Sequence, residues 1–256
     1  MQYKKESLEK LLILIDVISK KDENEWFRNK LISKYCINNN LVENPVIEEI
    51  YEYCIKQIIA QQADKFYQDF KLDTIKDRLI SDFIRMENFR RMDNFEDFCM
   101  ALFQQIEGIT NELATSEVKS IIEKDQNKGT HKIKDRETME YVPQKLWQLV
   151  FNPNLKDEEL QKKLSKPIHE WDFTERFKSI LYVFFFNHKI YNYQDFLNIF
   201  FLGNELYQSR NLNHRGGTLS EKQKKTVEKV TSNSYKYYFK FLGFFEDFTT
   251  KINSNL

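Results

Sequence analysis

The stretch DNFEDFCMALFQQIEGITNEL, residues 93–113, decides the fold. Asp93 and Glu96 stand three apart, the spacing of a capping box with Asp in place of the usual Ser or Thr. Phe95, Phe98, Cys99, Leu102, Phe103, Ile106, Ile109 and Leu113 follow at steps of mostly three and four, which puts them on one stripe of a helix. So continuous an apolar face has to be buried, and it predicts a core helix running to about residue 115.

Helical patterns continue on both sides of it. Residues 4–20 and NEWFRNKLISKYC (24–36) read as two helices, and a long third follows Pro45 in VIEEIYEYCIKQIIAQQADKFYQDF. DTIKDRLISDFIRMENFRR (73–91) is a fourth. Residues 115–145 are polar with Gly129 in their middle, predicting a short helix and then an exposed loop. Pro153, Pro167 and the charged Lys156–Lys163 patch predict short helices and turns over 145–168. TERFKSILYVFFFNHK (174–189) predicts a buried helix, with a strand as the alternative for LYVFFF.

NYQDFLNIFFLGNELYQSRNLNH (192–214) is a further helix. Its stripe of Phe196, Ile199, Phe200, Gly203, Leu206 and Tyr207 continues, at the same steps, to Arg210 and His214. Thr218 and Glu221 have capping-box spacing. A last helix over about 219–250 aligns Val227, Val230, Ser234, Tyr237, Phe241, Phe244 and Phe248, a packing seam within the domain or across a dimer.

Composition agrees with an all-α helical bundle. Six Gly and four Pro leave few of the residues that punctuate strands and turns, against 41% hydrophobic and 30% charged residues. The 22 Phe and 13 Tyr fill a core, are held for a partner, or reflect codon bias. Lys plus Arg equals Asp plus Glu at 39 each, so any surface for nucleic acid must be local. Cys36, Cys54 and Cys99 form no C-x-x-C pair, and neither a zinc site nor a disulfide framework is signalled. Glu6, Glu9, Lys10 and Asp16 flank or interrupt the apolar run of the first helix, against a signal peptide, and LYVFFF is too short for a membrane span. A cytoplasmic protein is expected, with an N-terminal helical segment at 1–75 and a bundle at 76–256.

Chemistry concentrates in SRNLNHRGG, residues 209–217. Residues four apart on a helix lie about 40° apart, so Arg210 and His214 face the same way. Arg cannot deprotonate and its fork suits phosphate oxygens, while His is the side chain most easily tuned for proton transfer near neutral pH. Together they supply what metal-free RNA cleavage requires: proton transfer, and stabilisation of charge on the phosphate. Gly216 and Gly217 would let a backbone approach closely. The plainer alternative is a helix C-terminus, where Arg, His and Gly are all favoured.

Arg210-Asn211 followed by His214, after an aromatic-rich helix and before a final amphipathic one, resembles the HEPN-domain ribonucleases. These include CRISPR-associated, toxin and abortive-infection nucleases. The resemblance covers roughly residues 78–250. It implies an all-α bundle with an Arg-polar-x-x-x-His motif near the end of the penultimate helix. It further implies a homodimer that joins two motifs in one composite site, and cleavage of single-stranded RNA with neither metal nor cofactor. By this resemblance Arg210 would bind the scissile phosphate, Asn211 would orient the site and His214 would be the acid or base. Three residues separate Arg from His here, where the family usually has four or more.

Arg215, Lys222 and Lys225, beside Lys224 and Lys229, could carry RNA next to His214. Arg90 and Arg91, with Arg85 and interleaved with Phe89 and Phe95, form a second candidate RNA-binding cluster. The alternatives are a solvated face for the lysines, and ion pairs to Glu87, Asp93 and Glu96 for the arginines. His131, His169 and His188 read as structural or idle, and no His or carboxylate pair has metal spacing such as H-E-x-x-H. Two other functions stay open: a catalytically silent HEPN-like module that binds RNA or a protein partner, and a helical scaffold subunit.

Overall fold

A computed structural model describes residues 5–19, 21, 24–27, 30, 45–134, 141–190, 193–210 and 220–256. The fold is all-α, and the only strands among the described residues form one two-stranded antiparallel hairpin. The chain divides into two compact units, Met1–Ile58 and Ile59–Leu256. Most of the helix expected at 24–36 lies outside the described residues.

In the first unit, α1 (Lys5–Ser19) leaves Leu12, Ile13 and Val17 exposed, while Phe27 is buried. Asn24 Nδ2 donates to the Ile18 carbonyl at 3.0 Å, closing the turn after that helix. α2 (Pro45–Tyr67) contains the point of division. Its proline takes the first helical position, where a missing N–H costs nothing.

The second unit is built around the stretch 93–113. α3 (Asp73–Arg91) and α4 (Phe95–Leu113) form a helical hairpin, joined by a turn in which Asp93 takes φ 54°. The turn is a Schellman-type stop: Asn94 N–H donates to the Phe89 carbonyl at 2.9 Å and Asp93 N–H to the Arg90 carbonyl at 3.3 Å. This moves the cap by one residue from the expected Asp93/Glu96 pair. With Asp93 committed to the turn, Asn94 becomes the N-cap, and its side chain accepts from Asp97 N–H at 3.2 Å.

α4 is buried on nearly every side, because α3, α8, α9 and α11 all pack on it. Even its polar Gln105 is fully buried; it accepts from the Tyr67 hydroxyl at 2.7 Å and donates to the Ala101 carbonyl at 3.3 Å. Pairing of this kind removes the cost of a polar group in a core.

α5 (Ser116–Asp125) starts on Thr115, whose hydroxyl accepts from Val118 N–H at 3.5 Å. The segment expected as an exposed loop is instead a hairpin, β1 (Gly129–Lys134) with β2 (Tyr141–Lys145), in the register Ile133↔Val142. A ladder satisfies backbone groups whatever the side chains are, so polar composition concealed it. Short helices α6 (Leu146–Val150) and α7 (Asp157–Ser165) follow, then α8 (Phe173–Ile180).

The LYVFF run does not form a strand. It continues α8 as a π turn over Leu181–Phe185, with Phe186 N–H donating to the Leu181 carbonyl at 2.8 Å. Asn187 (φ 46°) and His188 (φ 60°) end it with two successive left-handed residues.

α9 (Tyr193–Ser209) presents Phe196, Gly203 and Leu206 to the core. The last expected helix is two, α10 (Glu221–Thr231) and α11 (Ser234–Ser254). The break falls in Thr231-Ser232-Asn233, whose side chains bond back to the carbonyls of Val227, Glu228 and Lys229 and so compete with a continuous helix. α10 is capped by Ser220 with Gln223, Ser220 N–H donating to Gln223 Oε1 at 2.9 Å, and Glu221, expected in a capping box with Thr218, is its first residue. Thr218 itself is outside the described residues. Val227, Val230, Tyr237, Phe241, Phe244 and Phe248 are all buried within the chain. The seam is therefore internal packing.

Aromatic rings supply much of that core. Phe98 and Tyr238 meet edge-on at 4.8 Å, Phe66 stacks on Phe245 at 5.5 Å, and Phe177 lies 5.7 Å from Phe248. Such pairs add about 0.5–1.5 kcal/mol each beyond their burial.

Candidate functional site

Arg210 closes α9, its N–H donating to the Leu206 carbonyl at 3.1 Å. The side chain turns inward and is only 15% exposed. Its guanidinium lies over the Phe103 ring at 4.1 Å and 5.0 Å from the Tyr207 centroid. Nη1 meets Glu107 Oε2 at 3.3 Å.

Three elements build this setting. Phe103 and Glu107 are one turn apart on α4, Tyr207 is three residues before Arg210 on α9, and Phe173 opens α8. Phe173 meets Phe103 edge-on at 4.8 Å and stacks on Tyr207 at 5.3 Å, so the arginine ends on a fixed aromatic wall. A cation held over ring faces beside a carboxylate is stabilised enough to stay half-buried. A phosphate reaching the guanidinium would compete with Glu107 for it.

Asn211, His214, Arg215, Gly216 and Gly217 lie outside the described residues, as does the side chain of Lys222. Lys225 is exposed and lines an open groove of about 420 Å³ with Glu205, Glu221, Thr226 and Lys229. Within that groove Lys229 Nζ binds Glu205 Oε1 at 2.7 Å, and this hydrogen bond, aided by Tyr237, raises the lysine above its ordinary value. At the far end of α3, Arg90 grips buried Glu87 with Nε at 3.0 Å and Nη2 at 2.6 Å. Arg91 is exposed on the next position. The structure thus gathers Arg210 with Glu107, Phe103, Tyr207 and Phe173, and it places Arg90 in a separate ion pair on α3.

No protein-family model, curated protein or solved structure matches the chain. Among the described residues no group of three His, Cys, Asp or Glu is placed to hold a metal ion, and no helix is long and apolar enough to cross a membrane. Cys54 and Cys99 are buried thiols, and burial pushes both above the usual thiol range.

Sequence reasoning did not single out Glu107, although a signal existed. It is the only charged residue between Asp97 and Glu112 on a helix whose other positions are largely apolar. A lone carboxylate in such a run implies a cationic partner.

A second polar cluster was also missed. Asp125, at the end of α5, is buried, accepts from the Tyr182 hydroxyl at 2.8 Å and pairs with Lys128 Nζ at 2.7 Å. His188 Nδ1 stands 3.6 Å from the same carboxylate, carried there by the two left-handed residues after the π turn. Burial alone would raise the Asp125 carboxyl. The hydrogen bonds from Lys128 and Tyr182, the Lys128 charge and His188 outweigh it and hold the group below the usual carboxylate range.

A depressed carboxylate contributes stability above its unfolded value of about 3.9, and that contribution is lost as pH falls through the folded value. The urea midpoint of the parent should therefore drop between about pH 4 and lower pH more steeply than that of Asp125→Asn. The variant should also be weaker at neutral pH by about 1–3 kcal/mol, since Tyr182 and Lys128 lose their ionised partner. Parallel pH profiles for the two proteins would refute the assignment.

Proposed function

We propose that the chain is a metal-independent endoribonuclease of the HEPN type that cuts single-stranded RNA. The observation that carries this reading is Arg210: a half-buried guanidinium on an aromatic wall at the end of α9, immediately before Asn211 and His214. Arg210 binds the scissile phosphate, Asn211 orients the site, and His214 moves the proton. The 2′-oxygen attacks the adjacent phosphorus and the bond to the 5′-oxygen breaks, leaving a 2′,3′-cyclic phosphate and a 5′-hydroxyl. No co-reactant is needed; the proton lost by the 2′-hydroxyl is balanced by one gained at the leaving oxygen.

Low dielectric around the guanidinium strengthens its hold on charge that develops at the phosphate. Arg215, Lys222 and Lys225 carry the flanking RNA, and two copies of the chain assemble so that two motifs share one site. A cytoplasmic role in defence or stress response accords with this chemistry.

One observation favours a second reading. Glu107 already answers the charge of Arg210 at 3.3 Å, as a purely structural tie between α4 and α9 would. The chain would then be a catalytically silent module that binds RNA or a protein partner, or a scaffold subunit.

End-labelled single-stranded RNA incubated in EDTA with the parent, Arg210→Ala and His214→Ala separates the two. Cleavage by the parent alone, leaving cyclic-phosphate ends, supports the nuclease. Equal cleavage by all three, or by none, removes it.

A further inference from the structure

Among the described residues far more aromatic rings are buried than exposed, yet two on one helix face stand in solvent. Tyr235 is 72% exposed and Phe239 is 74% exposed, one turn apart at the start of α11. Lys236 and Lys240 interleave with them and are exposed as well. Neither lysine forms an ion pair among the described residues; Lys240 Nζ rests 4.9 Å above the Tyr237 ring.

The local charge is unlike that of the whole. Residues 221–240 hold six lysines (222, 224, 225, 229, 236, 240) against two glutamates (221, 228), a net +4 that Glu205, paired with Lys229, lowers to +3, in a chain of net charge zero. The next carboxylates on α11 are Glu246 and Asp247, beyond the platform. Gly243, on the following turn, has nothing within 4 Å of where a Cβ would sit, so the face continues flat and open.

We propose that the outer face of the first two turns of α11 is a stacking platform for single-stranded RNA, with Tyr235 and Phe239 receiving bases and Lys236 and Lys240 receiving phosphates. The choice of occupant follows from the chemistry. Every base has a π face that an exposed ring can accept, and interleaved cations match the regular charge of a phosphate chain. A protein partner would more often meet a patch depleted in lysine at its centre. The choice of RNA rests on the proposed nuclease reading, and the platform extends that reading: in sequence the lysine-rich stretch of α10 and the start of α11 follows the Arg210–His214 segment.

The test uses the full chain and a fluorescein-labelled 2′-O-methyl oligo(U) of about 12 nucleotides, which cannot be cleaved because its nucleophile is blocked. Binding is read by fluorescence anisotropy. Tyr235→Ala/Phe239→Ala should weaken binding at least about tenfold, and Tyr235→Phe/Phe239→Trp should bind like the parent. Lys236→Gln/Lys240→Gln should lower the slope of log K against log salt by about 0.7 per lysine. All four positions are exposed, so the fold is retained.

Equal affinity for parent and Tyr235→Ala/Phe239→Ala, or no binding by the parent, overturns the platform. Unchanged RNA affinity with self-association lost in that variant, read by light scattering, would assign the face to a second copy instead. The nuclease is judged separately, on RNA bearing its 2′-hydroxyl. A parent that binds through these residues but leaves that RNA uncut keeps the platform and removes the nuclease. A parent that cuts while both aromatic variants bind equally keeps the nuclease and removes the platform.

Discussion

Arg210→Ala is expected to reduce cleavage of single-stranded RNA in EDTA by about 10²–10³-fold, the loss typical when one preorganised donor to a developing negative charge is removed. Arg210→Lys should recover little of it. Lysine keeps the charge but lacks the planar fork and the stacking that set the guanidinium over Phe103 at 4.1 Å. The same substitutions cost stability, since Arg210 also ties α9 to α4. For a half-buried pair with a ring beneath it that cost is about 1–2 kcal/mol. The two roles separate in a double-mutant cycle with Glu107→Gln. If Arg210 is only a structural tie, Glu107→Gln and Arg210→Ala destabilise alike, couple strongly, and neither changes an activity. If Arg210 binds phosphate, Glu107→Gln weakens the fold yet retains cleavage. Loss of all cleavage on Glu107→Gln with the fold intact would contradict that assignment of roles.

The largest effect on stability is expected at Phe177 of α8, beside Gly203 of α9. Phe177 is 1% exposed, stacks on Phe173 at 5.6 Å and packs on Phe248. Phe177→Ala should cost about 3–5 kcal/mol, the range for truncating a buried Phe. At about 2–4 °C per kcal/mol for a unit of this size, the melting temperature should fall visibly.

Gly203 faces that ring so closely that an added Cβ would lie 2.6 Å from it. The ring is hemmed in by its neighbours and cannot swing away, so Gly203→Ala should cost about 1–3 kcal/mol through overpacking. Combining the two substitutions should cost less than their sum, because the space vacated by the phenyl admits the methyl. Strict additivity in urea unfolding would show that Gly203 matters for some reason other than this contact.

Much of the fold was legible along the chain. Period and capping chemistry are local, and α3 and α4 follow from them with only a one-residue shift at the Asp93 turn. The hairpin at 129–145 was not legible, because ladder pairing is made by backbone atoms and leaves a weak trace in polar side chains. The break before α11 was partly legible in Thr231-Ser232-Asn233. An uninterrupted step pattern across it hid the break.

At the candidate site the sequence singled out Arg210 from the stripe of α9, a matter of spacing on one helix. Glu107, Phe103 and Phe173 could not be joined to it that way, since the first two lie over a hundred positions away on α4 and the third on α8. The cluster of Asp125, Lys128, Tyr182 and His188 was equally hidden, assembled by a π turn and two left-handed residues that no propensity announces. By itself, then, the sequence determined the all-α class, the core stripe of α4 and the arginine to examine, because each depends on side chains within a few turns of one another. Only the tertiary structure decided that the arginine turns inward onto Phe103 and Glu107, that the seam of the last helices is internal, and that Tyr235 and Phe239 remain outside. Those outcomes depend on which faces meet, and burial is a property of the packed bundle rather than of any single helix.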